Sequence, residues 1–518
     1  MTKNEKLWVI LSAVVLALQL LVEALTAWVV IRLNVLPDKF VVVLAIALGV
    51  LALTTGLLMF LRIKKPVSKV RRIIAYILAL IMICGCAVVS KIASDAYTTI
   101  HEVTSGTEVT DVRNTYVFVR VDDPAQSLAD TAEYAYAILQ DYDVEHTQLA
   151  IAVVEEQTGV TADVTAYEKT SDLADALFSK EADALILNGA AVTLLMEQEE
   201  YADFTEKARI LYAISSEELE KMEALLGVTD PSTEPTTVPT EPVIQGNITN
   251  TPFAVYISGS DTRSSKLSVS RSDVNILVVV NPVTKQVLLV NTPRDYYVPN
   301  PAGQGKLDKL THCGLYGTEC SMEALEKLYD VEIGYYAQIN FTGFEKLINA
   351  VGGVTVYSSQ SFTARDETYI KKGENHLNGK QALDFARERY HVNGGDNGRG
   401  KNQMRVIEGL IKKLTSGTTV ISNYSGIISS LGGMFKTSIT MDEISLLVKM
   451  QLDEMPSWNV QSFAVTGKGG SEKTYSAPGN YAYVMHPNED VVAYAAGLID
   501  RVLAGETLTE ADIQLPEA

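Results

Sequence analysis

Three long apolar runs occupy the first ninety residues of the chain. They cover residues 7–31, 40–61 and 73–89, and their only charged side chain is Glu23. Each run approaches the ~20 residues that a helix needs to cross a bilayer. A signal peptide would have a shorter apolar region, and two further spans would not follow it directly. The pattern predicts a membrane anchor of three transmembrane helices, residues 1–95, in which Glu23 faces a hydrogen-bonding partner.

The basic residues of the short loops predict the orientation of this anchor. Residues 62–72, between the second and third runs, carry six lysines and arginines, whereas the first loop has only Arg32 and Lys39 beside Asp38. By the positive-inside rule, the amino terminus and the second loop lie in the cytoplasm. We therefore expect a cell-membrane protein whose remaining residues form extracellular soluble domains.

Short apolar runs alternate with amphipathic stretches over residues 105–228. The pattern predicts strands at 116–121, 148–154 and 184–189, with helices at 127–142 and 170–182. This order is typical of a small α/β domain with a partly parallel sheet. No nucleophile elbow, phosphate loop or metal-ligand cluster occurs in its sequence. An accessory domain that acts as a spacer, or binds a partner of unknown identity, is the favoured interpretation.

A proline-rich segment separates this accessory domain from the rest of the chain. Residues 231–243 contain four prolines and no aromatic residue, which predicts an extended linker over residues 229–247 and a last domain over 248–515. Residues 105–245 hold 29 of the 63 acidic residues but only 7 of the 43 basic ones. The net charge of −20 therefore belongs mainly to the accessory domain. No nucleic-acid partner is expected from such a composition.

Two β-rich runs near the start of the last domain predict an antiparallel hairpin. They flank the turn-forming residues 281–286, and a turn centred between Val283 and Thr284 makes the numbers of paired residues add up to 567. That register places Asp273 opposite Arg294. Arg271 and Asp295 then lie at the same end of the hairpin. The hairpin is apolar along its length and charged with both signs at this end.

Polar residues continue the apolar stripe of a predicted helix farther along the chain. Five residues share one face at a spacing of 3.6: Arg399, Gln403, Val406, Leu410 and Leu414. A buried guanidinium needs an anionic partner. Arg387 and Arg389 end the preceding helix, and the glycine-rich residues 394–398 allow the chain to fold back.

This set of side chains predicts a site for a metal-bound diphosphate. Guanidinium forks suit phosphate oxygens, and several together suit a diphosphate. Two nearby aspartates, Asp261 and Asp273, suit Mg²⁺. The simpler alternative is that Asp261 shapes a turn, that Arg387 pairs with Asp384, and that Asp273 pairs with Arg294.

The two cysteines outside the anchor predict a covalent clamp. Cys313 and Cys320 are separated by six residues and would lie in an oxidising compartment. A disulfide is expected there rather than the alternative, a pair of free thiols.

A series of ordered motifs in the last domain resembles a known family. The motifs are GSDTR at 259–263, SRSDVNILVVV at 270–280, TPRD at 292–295, KLTHC at 309–313, GGV at 352–354, LNGKQALDFARERY at 377–390 and GDNGRGKNQ at 395–403. In order and spacing they resemble the LytR-CpsA-Psr family of cell-wall glycopolymer ligases, over about residues 250–500. Three spans followed by an accessory domain resemble the capsule-attachment members of that family.

The resemblance implies a fold, a substrate and roles for the charged residues. It implies a mixed-sheet α/β/α domain that holds a polyprenyl lipid in an apolar cavity and transfers a glycan from polyprenyl pyrophosphate to peptidoglycan, in teichoic acid or capsule attachment in Gram-positive bacteria. The implied Mg²⁺ ligands are Asp261 and Asp273. The implied pyrophosphate ligands are Arg271, Arg294, Arg387, Arg389, Arg399 and Gln403. Asp261, Arg387 and Arg389 are the implied catalytic residues. Asn402 stands where many members have arginine, and we assign it no role.

The reaction we expect is a phosphoglycosyl transfer to a wall-sugar hydroxyl, with Asp261 or Asp295 as the general base. Two alternatives use the same domain differently. One is a pyrophosphatase that acts on the lipid carrier with water as the acceptor. The other is a non-catalytic envelope sensor or transcription attenuator, although external soluble domains argue against direct contact with DNA.

Overall fold

The structure is a computed structural model that describes most of the 518 residues. The described ranges are 3–61, 68–104, 115–226, 247–263, 267, 269–365, 367–416, 426–427 and 432–515. Most of the predicted linker, and most of the basic loop used to predict orientation, lie outside them.

Three helices form the amino-terminal anchor: α1 (Lys3–Leu33), α2 (Asp38–Phe60) and α3 (Lys69–Thr104). All three are long and apolar enough to cross a membrane, as predicted. Polar side chains join them inside the bundle. The Thr55 hydroxyl donates to Gln19 Oε1 at 3.0 Å, and Gln19 Nε2 donates to Glu23 Oε1 at 2.8 Å. Glu23 is therefore buried and hydrogen-bonded, as expected.

The accessory domain contains a five-stranded mixed sheet. Its elements are β1 (Thr115–Arg120), β2 (Ala135–Leu139), α4 (Val144–Thr158), β3 (Asp163–Tyr167), α5 (Thr170–Ser179), β4 (Ala184–Asn188), α6 (Gly189–Met196), α7 (Phe204–Lys207), β5 (Ala208–Ile214) and α8 (Ser216–Leu226). The strand order is β3-β2-β4-β1-β5. Strand β2 runs parallel to β3 and β4, whereas β1 is antiparallel to β4 and β5. The sheet is partly parallel, as the sequence predicts.

Two of the predicted elements in this domain are wrong. Residues 148–154, predicted as a strand, lie in helix α4, where Leu149, Ala150, Val153 and Val154 form its buried face. Residues 127–142, predicted as a helix, form a short 3₁₀ turn followed by β2. Short apolar runs fit a buried strand and a buried helix equally well, so the period alone could not decide between them.

The last domain has fourteen named strands and seven named helices within the described ranges. The strands are β6 (Phe253–Ser260), β7 (Val274–Asn281), β8 (Gln286–Asn291), β9 (Tyr297–Pro299), β10 (Leu307–Lys309), β11 (Tyr335–Asn340), β12 (Val354–Ser358), β13 (Phe362–Thr363), β14 (Tyr369–Ile370), β15 (Gly373–Leu377), β16 (Phe435–Thr437), β17 (Asn459–Ala464), β18 (Gly467–Thr474) and β19 (Ala477–Pro487). The helices are α9 (Leu310–Cys313), α10 (Thr318–Tyr329), α11 (Phe341–Ala350), α12 (Gly379–Arg387), α13 (Gly395–Thr415), α14 (Met441–Glu454) and α15 (Glu489–Leu503).

A six-stranded mixed sheet is the centre of this domain, with the order β16-β11-β6-β7-β8-β17. The predicted hairpin is β7–β8, and its pairs Ile276↔Asn291 and Asn281↔Gln286 have the predicted register. Side chains alternate between the two faces of the sheet. Ala254 and Tyr256 pack with α10 and α15 on one face, and Phe253 and Val255 line the other. Helices α13 and α14 cover that second face, which makes a three-layer α/β/α domain.

The accessory domain packs directly against the last domain through a buried polar chain. The Tyr142 hydroxyl lies 2.8 Å from the Tyr316 hydroxyl, which lies 2.9 Å from Ser476 Oγ. Ser476 in turn hydrogen-bonds to Asp308, which His312 Nδ1 also contacts at 2.7 Å. Buried hydroxyl and carboxylate groups are costly to leave without hydrogen-bond partners. This series of hydrogen bonds therefore fixes the relative orientation of the two domains.

The predicted disulfide between Cys313 and Cys320 is wrong. Both lie in the described part of the chain as buried free thiols, so the predicted disulfide is not formed. The Cys320 thiol donates instead to Asn300 Oδ1 at 3.4 Å. A hydrogen bond to Cys320, together with burial, raises the pKa of the Cys313 thiol.

Candidate active site

A polar cavity of about 380 Å³ opens at the charged end of the β7–β8 hairpin. It is lined by Asp261, Asp273, Val274, Arg294, Phe341, Arg365, Asp384, Arg387, Glu388, Arg389, Tyr390, Arg399 and Gln403. Asp261 follows β6, Asp273 precedes β7 and Arg294 follows β8. The remaining charged residues come from the end of α12, the loop after it and the first turns of α13, with Arg365 from the turn after β13. Seven of the eight predicted metal and pyrophosphate ligands therefore line one cavity.

The hairpin contributes an ion pair at the floor of this polar cavity. Arg294 Nη1 lies 2.8 Å from Asp273 Oδ1, as the register predicts. Burial acts to lower the pKa of Arg294, but Asp273 and then Asp295 raise it above its usual value. The simpler interpretation, in which Asp273 only pairs with Arg294, is right about the contact. Both side chains nevertheless line the cavity.

The glycine-rich turn before α13 positions Arg399. Gly394 and Gly395 adopt φ values of 87° and 55°, which favour glycine, and α13 begins there. Arg399 Nη2 pairs with Asp396 Oδ1 at 2.8 Å, while the side chain is only 11% exposed. Burial lowers the pKa of the Arg399 guanidinium, and Asp396 opposes that shift. Arg399 Nε has no hydrogen-bond partner among the described residues, so this buried donor is available to an anionic ligand.

A buried carboxylate organises the loop that carries Arg389. Glu388 accepts backbone N–H groups from Arg365 and Tyr390, both at 2.7 Å, and from His391 at 3.0 Å. Burial alone would raise the pKa of Glu388, but these hydrogen bonds lower it below its usual value. The carboxylate is thus held ionised between Arg387 and Arg389. The signal for this role in the sequence is a glutamate placed between two arginines.

Aromatic rings orient the two arginines that flank Glu388. The Arg387 guanidinium lies 4.6 Å from the centroid of the Phe341 ring, and that of Arg389 lies 4.8 Å from the Tyr390 ring. Arg389 Nη2 also donates to the Tyr390 hydroxyl at 2.6 Å. Cation–π contacts of this kind align a guanidinium without neutralising its charge. Asp384 pairs with Lys380 at 2.8 Å and is buried, so it does not lie on the helix surface where the simpler alternative places it.

Arg271 and Asp295 lie outside the polar cavity. Arg271 Nε lies 2.9 Å from Glu197 Oε1, a side chain of the accessory domain. Burial raises the pKa of Glu197, and Arg271 opposes that shift. Asp295 lies 3.2 Å from Lys309 Nζ and 3.6 Å from Arg294 Nε. Asp295, the alternative general base, is therefore held in two ion pairs. Asp261 is exposed and lines the cavity.

The carboxylates of the polar cavity fit a magnesium ion that is shared with a phosphate ligand. Within the described ranges no group of three or more histidine, cysteine or carboxylate side chains could hold a metal by itself. Asp261 and Asp273 both line the polar cavity, and each would supply one ligand. That matches the usual pattern for Mg²⁺, in which one or two carboxylates, water and substrate phosphates complete the octahedron.

An apolar passage begins where the polar cavity ends. A second cavity of about 160 Å³ shares Val274, Phe341, Arg387 and Gln403 with the polar cavity. It shares Ala337 and Phe435 with a third cavity of about 520 Å³. We call these second and third cavities together the apolar passage. From Arg387 it runs between the sheet and helices α13 and α14.

The predicted stripe of α13 runs along the whole route. Arg399 lines the polar cavity, Gln403 lines both the polar cavity and the start of the passage, and the remaining members line the passage: Val406, Leu410 and Leu414. The sixteen residues from Arg399 to Leu414 span about 22 Å along the helix axis. One helix face therefore presents cation, amide and hydrocarbon in sequence. A ligand with an anionic head and a long apolar tail matches that order.

Comparison with known proteins gives a consistent set of similarities. The sequence model of the LytR_cpsA_psr family matches residues 215–493. The chain is 38% identical over 212 residues to the polyisoprenyl-teichoic acid–peptidoglycan teichoic acid transferase TagU of Enterococcus faecalis, which covers 40% of this chain and 68% of that protein. It is 33% identical over 219 residues to the TagU of Bacillus cereus, covering 42% and 70%. The crystal structure of B. subtilis TagV matches with a TM-score of 0.42 and 25% identity over 50% of this chain and 99% of that one.

The matched region contains every residue that lines the polar cavity. It extends over more than half of the chain, and TagU of Enterococcus faecalis is covered over more than two thirds of its length. These matches confirm the resemblance that the ordered motifs indicate. This chain belongs to the LytR_cpsA_psr family.

Proposed function

We propose that this protein transfers a glycopolymer of the teichoic acid type from a polyprenyl pyrophosphate carrier to peptidoglycan on the outer face of the cytoplasmic membrane. The observation that carries the proposal is the continuity of the polar cavity with the apolar passage. A diphosphate meets the guanidinium groups while the attached prenyl chain enters the hydrocarbon-lined space. The TagU relatives are named for such a transfer, which supports the same reaction here.

Five guanidinium groups bind and orient the pyrophosphate. They belong to Arg294, Arg365, Arg387, Arg389 and Arg399. Charge grows on the bridging oxygen when a phosphoryl group transfers, and fixed donors in a water-poor site stabilise that charge. Because Asp273, Glu388 and Asp396 hold neighbouring parts of the site in place, the donors need little rearrangement during the reaction.

The bond changes follow from this arrangement. A hydroxyl of the wall glycan attacks the phosphorus nearer the transferred polymer, and the phosphoanhydride bond to the lipid-borne phosphate breaks. The proton of the hydroxyl passes to Asp261, and the polyprenyl monophosphate leaves along the passage. Mg²⁺ bound by Asp261 and Asp273 would neutralise part of the phosphate charge. An ion bound at Asp261 would reduce the basicity of its carboxylate, so base and metal ligand are alternative roles for Asp261.

Product analysis with the full-length protein tests the reaction. We expect lipid-linked glycan and peptidoglycan to yield glycan joined to the wall polymer, with transfer stopped by a chelator and restored by Mg²⁺. Release of free glycan, with none joined to peptidoglycan, would identify a hydrolase instead. Binding of the lipid without any turnover would support the sensor.

A further inference from the structure

The membrane anchor packs directly on the last domain, beside the end of the apolar passage. Leu33, Val35 and Ile100 are buried in one cluster with Ile444 and Val448 of α14. The contact therefore joins the α1–α2 turn and the end of α3 to a helix that covers the central sheet. An anchor that served only as a tether would not need a buried apolar contact of this kind.

Polar contacts lie at the rim of the same contact. Lys39 Nζ pairs with Asp453 Oδ1 at 2.7 Å, and Lys449 Nζ donates to Asn34 Oδ1 at 2.6 Å. Exposed pairs of this kind contribute little stability. They do restrict the orientation, since they join the α1–α2 turn and the start of α2 to α14.

Anchor residues form part of the wall of the third cavity. Val35, Thr99, Ile100 and Val103 line the third cavity together with strand and α14 residues of the last domain. The third cavity also shares Ala337 and Phe435 with the second cavity, which Arg387 lines. The apolar passage therefore extends from the polar cavity to the anchor.

The position of these anchor residues relates the passage to the bilayer. Val35 lies in the short turn between two membrane-crossing helices, α1 and α2, so it lies at a membrane surface. Thr99 and Ile100 lie in α3 beyond the apolar run of residues 73–89, and Ile100 packs in one cluster with Val35. The anchor end of the passage therefore lies beside the membrane surface at the α1–α2 turn.

We propose that the α1–α2 turn and the end of α3 form the entrance through which the polyprenyl chain passes from the bilayer into the apolar passage. This inference rests on the proposed function and adds the anchor to the lipid-binding site. Exposing each methylene group to water is unfavourable, so a long prenyl chain strongly favours a route that stays covered by hydrocarbon. The anchor supplies that cover between membrane and catalytic domain.

Two neighbouring threonines of α3 give a matched pair for testing the entrance. Thr99 lines the passage, whereas Thr98 is exposed on the adjacent face and does not line it. A photo-crosslinking amino acid at either position of the full chain in lipid nanodiscs would report the nearest lipid. With polyprenyl pyrophosphate-linked glycan labelled in its prenyl chain, we expect several-fold more labelled adduct at position 99 than at 98.

Arg399→Ala shows whether an adduct comes from the bound substrate or from a bilayer lipid. If the head group holds the lipid in place, this substitution should remove the excess at position 99 and leave the background at position 98 unchanged. Equal labelling at both positions, or adducts at position 99 only with ordinary phospholipid, would overturn the proposal. The second result would mean that a bilayer lipid occupies the entrance.

Transfer kinetics separate this inference from the proposed function. Thr99→Trp should raise KM roughly tenfold for a long-chain substrate in nanodiscs but leave a water-soluble short-prenyl analogue unaffected, because only the long chain reaches the entrance. Thr98→Trp should change neither. Equal impairment of both substrates by Thr99→Trp would overturn the entrance. Failure of the unmodified protein to transfer glycan from either substrate would instead overturn the proposed function.

Discussion

The polar cavity and the apolar passage share Phe341, Arg387 and Gln403, yet their walls are opposite in character. One is lined by guanidinium and carboxylate groups, and the other by valine, isoleucine, leucine and phenylalanine. The change occurs within one turn of α13, between Gln403 and Val406. The difference shows that one rigid helix can orient both ends of an amphipathic ligand.

This division predicts that two kinds of substitution have separable effects. Loss of charge in the polar cavity should impair the reaction for every substrate, whatever its lipid. Loss of volume in the apolar passage should impair only substrates with a long prenyl chain. The predictions below test that separation, in order of decreasing effect on transfer.

Arg399→Ala should have the largest effect. The guanidinium is buried, with its Nε unpartnered among the described residues, and removing one preorganised donor from an anionic transition state typically costs about 100-fold or more in kcat. Steady-state transfer of glycan to peptidoglycan measures the loss. Lys401→Ala, an exposed change two residues along the same helix, is the matched control. Normal turnover by the Arg399 variant would contradict the assigned site.

Ala337→Trp should have an intermediate and selective effect. Ala337 lines both apolar cavities, so an indole there would narrow the passage at their junction. We expect KM to rise roughly tenfold for long-chain substrate and to stay unchanged for a short-prenyl analogue. A thermal unfolding scan checks for overpacking. An equal rise in KM for both substrates would contradict the separation of the polar cavity from the apolar passage.

Glu197→Gln should have a small effect that reports on Arg271. Breaking the contact at 2.9 Å would free the Arg271 guanidinium. If Arg271 binds pyrophosphate, as the family motif predicts, KM should fall by roughly twofold to threefold, within the range of partly exposed ion pairs. Arg271→Ala should reverse the gain. An unchanged KM in all these variants would leave Arg271 with a purely structural role at the domain interface.

Asp308→Asn should affect stability without changing the chemistry. Burial acts to raise the pKa of Asp308, but His312 and then the Ser476 and Asn300 hydrogen bonds lower it below its usual value. A lowered pKa stabilises the fold above the unfolded value of about 3.9, and that stability is lost as the pH falls further. We expect the variant to lose about 3 kcal/mol near neutral pH, in line with other broken buried pairs.

Unfolding scans across pH measure this effect. The difference in Tm between wild type and Asp308→Asn should shrink as the pH falls below about 4. Transfer per folded molecule should stay the same. A difference in Tm that grows as the pH falls would contradict the lowered pKa of Asp308. A loss of turnover per folded molecule would place Asp308 in the catalytic machinery.

Local patterns in the sequence predicted the elements that carry the site. The hairpin register follows from one turn centre and correctly brings Asp273 to Arg294. The stripe of α13 follows from helical periodicity and correctly places Arg399 and Gln403 in the same cavity. In both cases the neighbouring residues are set by the regular spacing of one helix or of two consecutive strands.

Contacts between distant segments could not be predicted in this way. Arg365 reaches the polar cavity from an irregular turn after β13, for which no periodic signal exists. Arg271 is drawn to Glu197 of the accessory domain, a contact that depends on how the two domains dock. The Cys320 thiol turns to Asn300, which likewise depends on tertiary packing.

A structure of the full chain in nanodiscs with a bound polyprenyl diphosphate would show directly whether one ligand occupies both regions. We expect diphosphate density in contact with Arg387, Arg389 and Arg399, with the prenyl chain continuing along Val406 and Leu410 toward the anchor. Diphosphate density elsewhere on the domain, or a prenyl chain that leaves the polar cavity without entering the apolar passage, would contradict it.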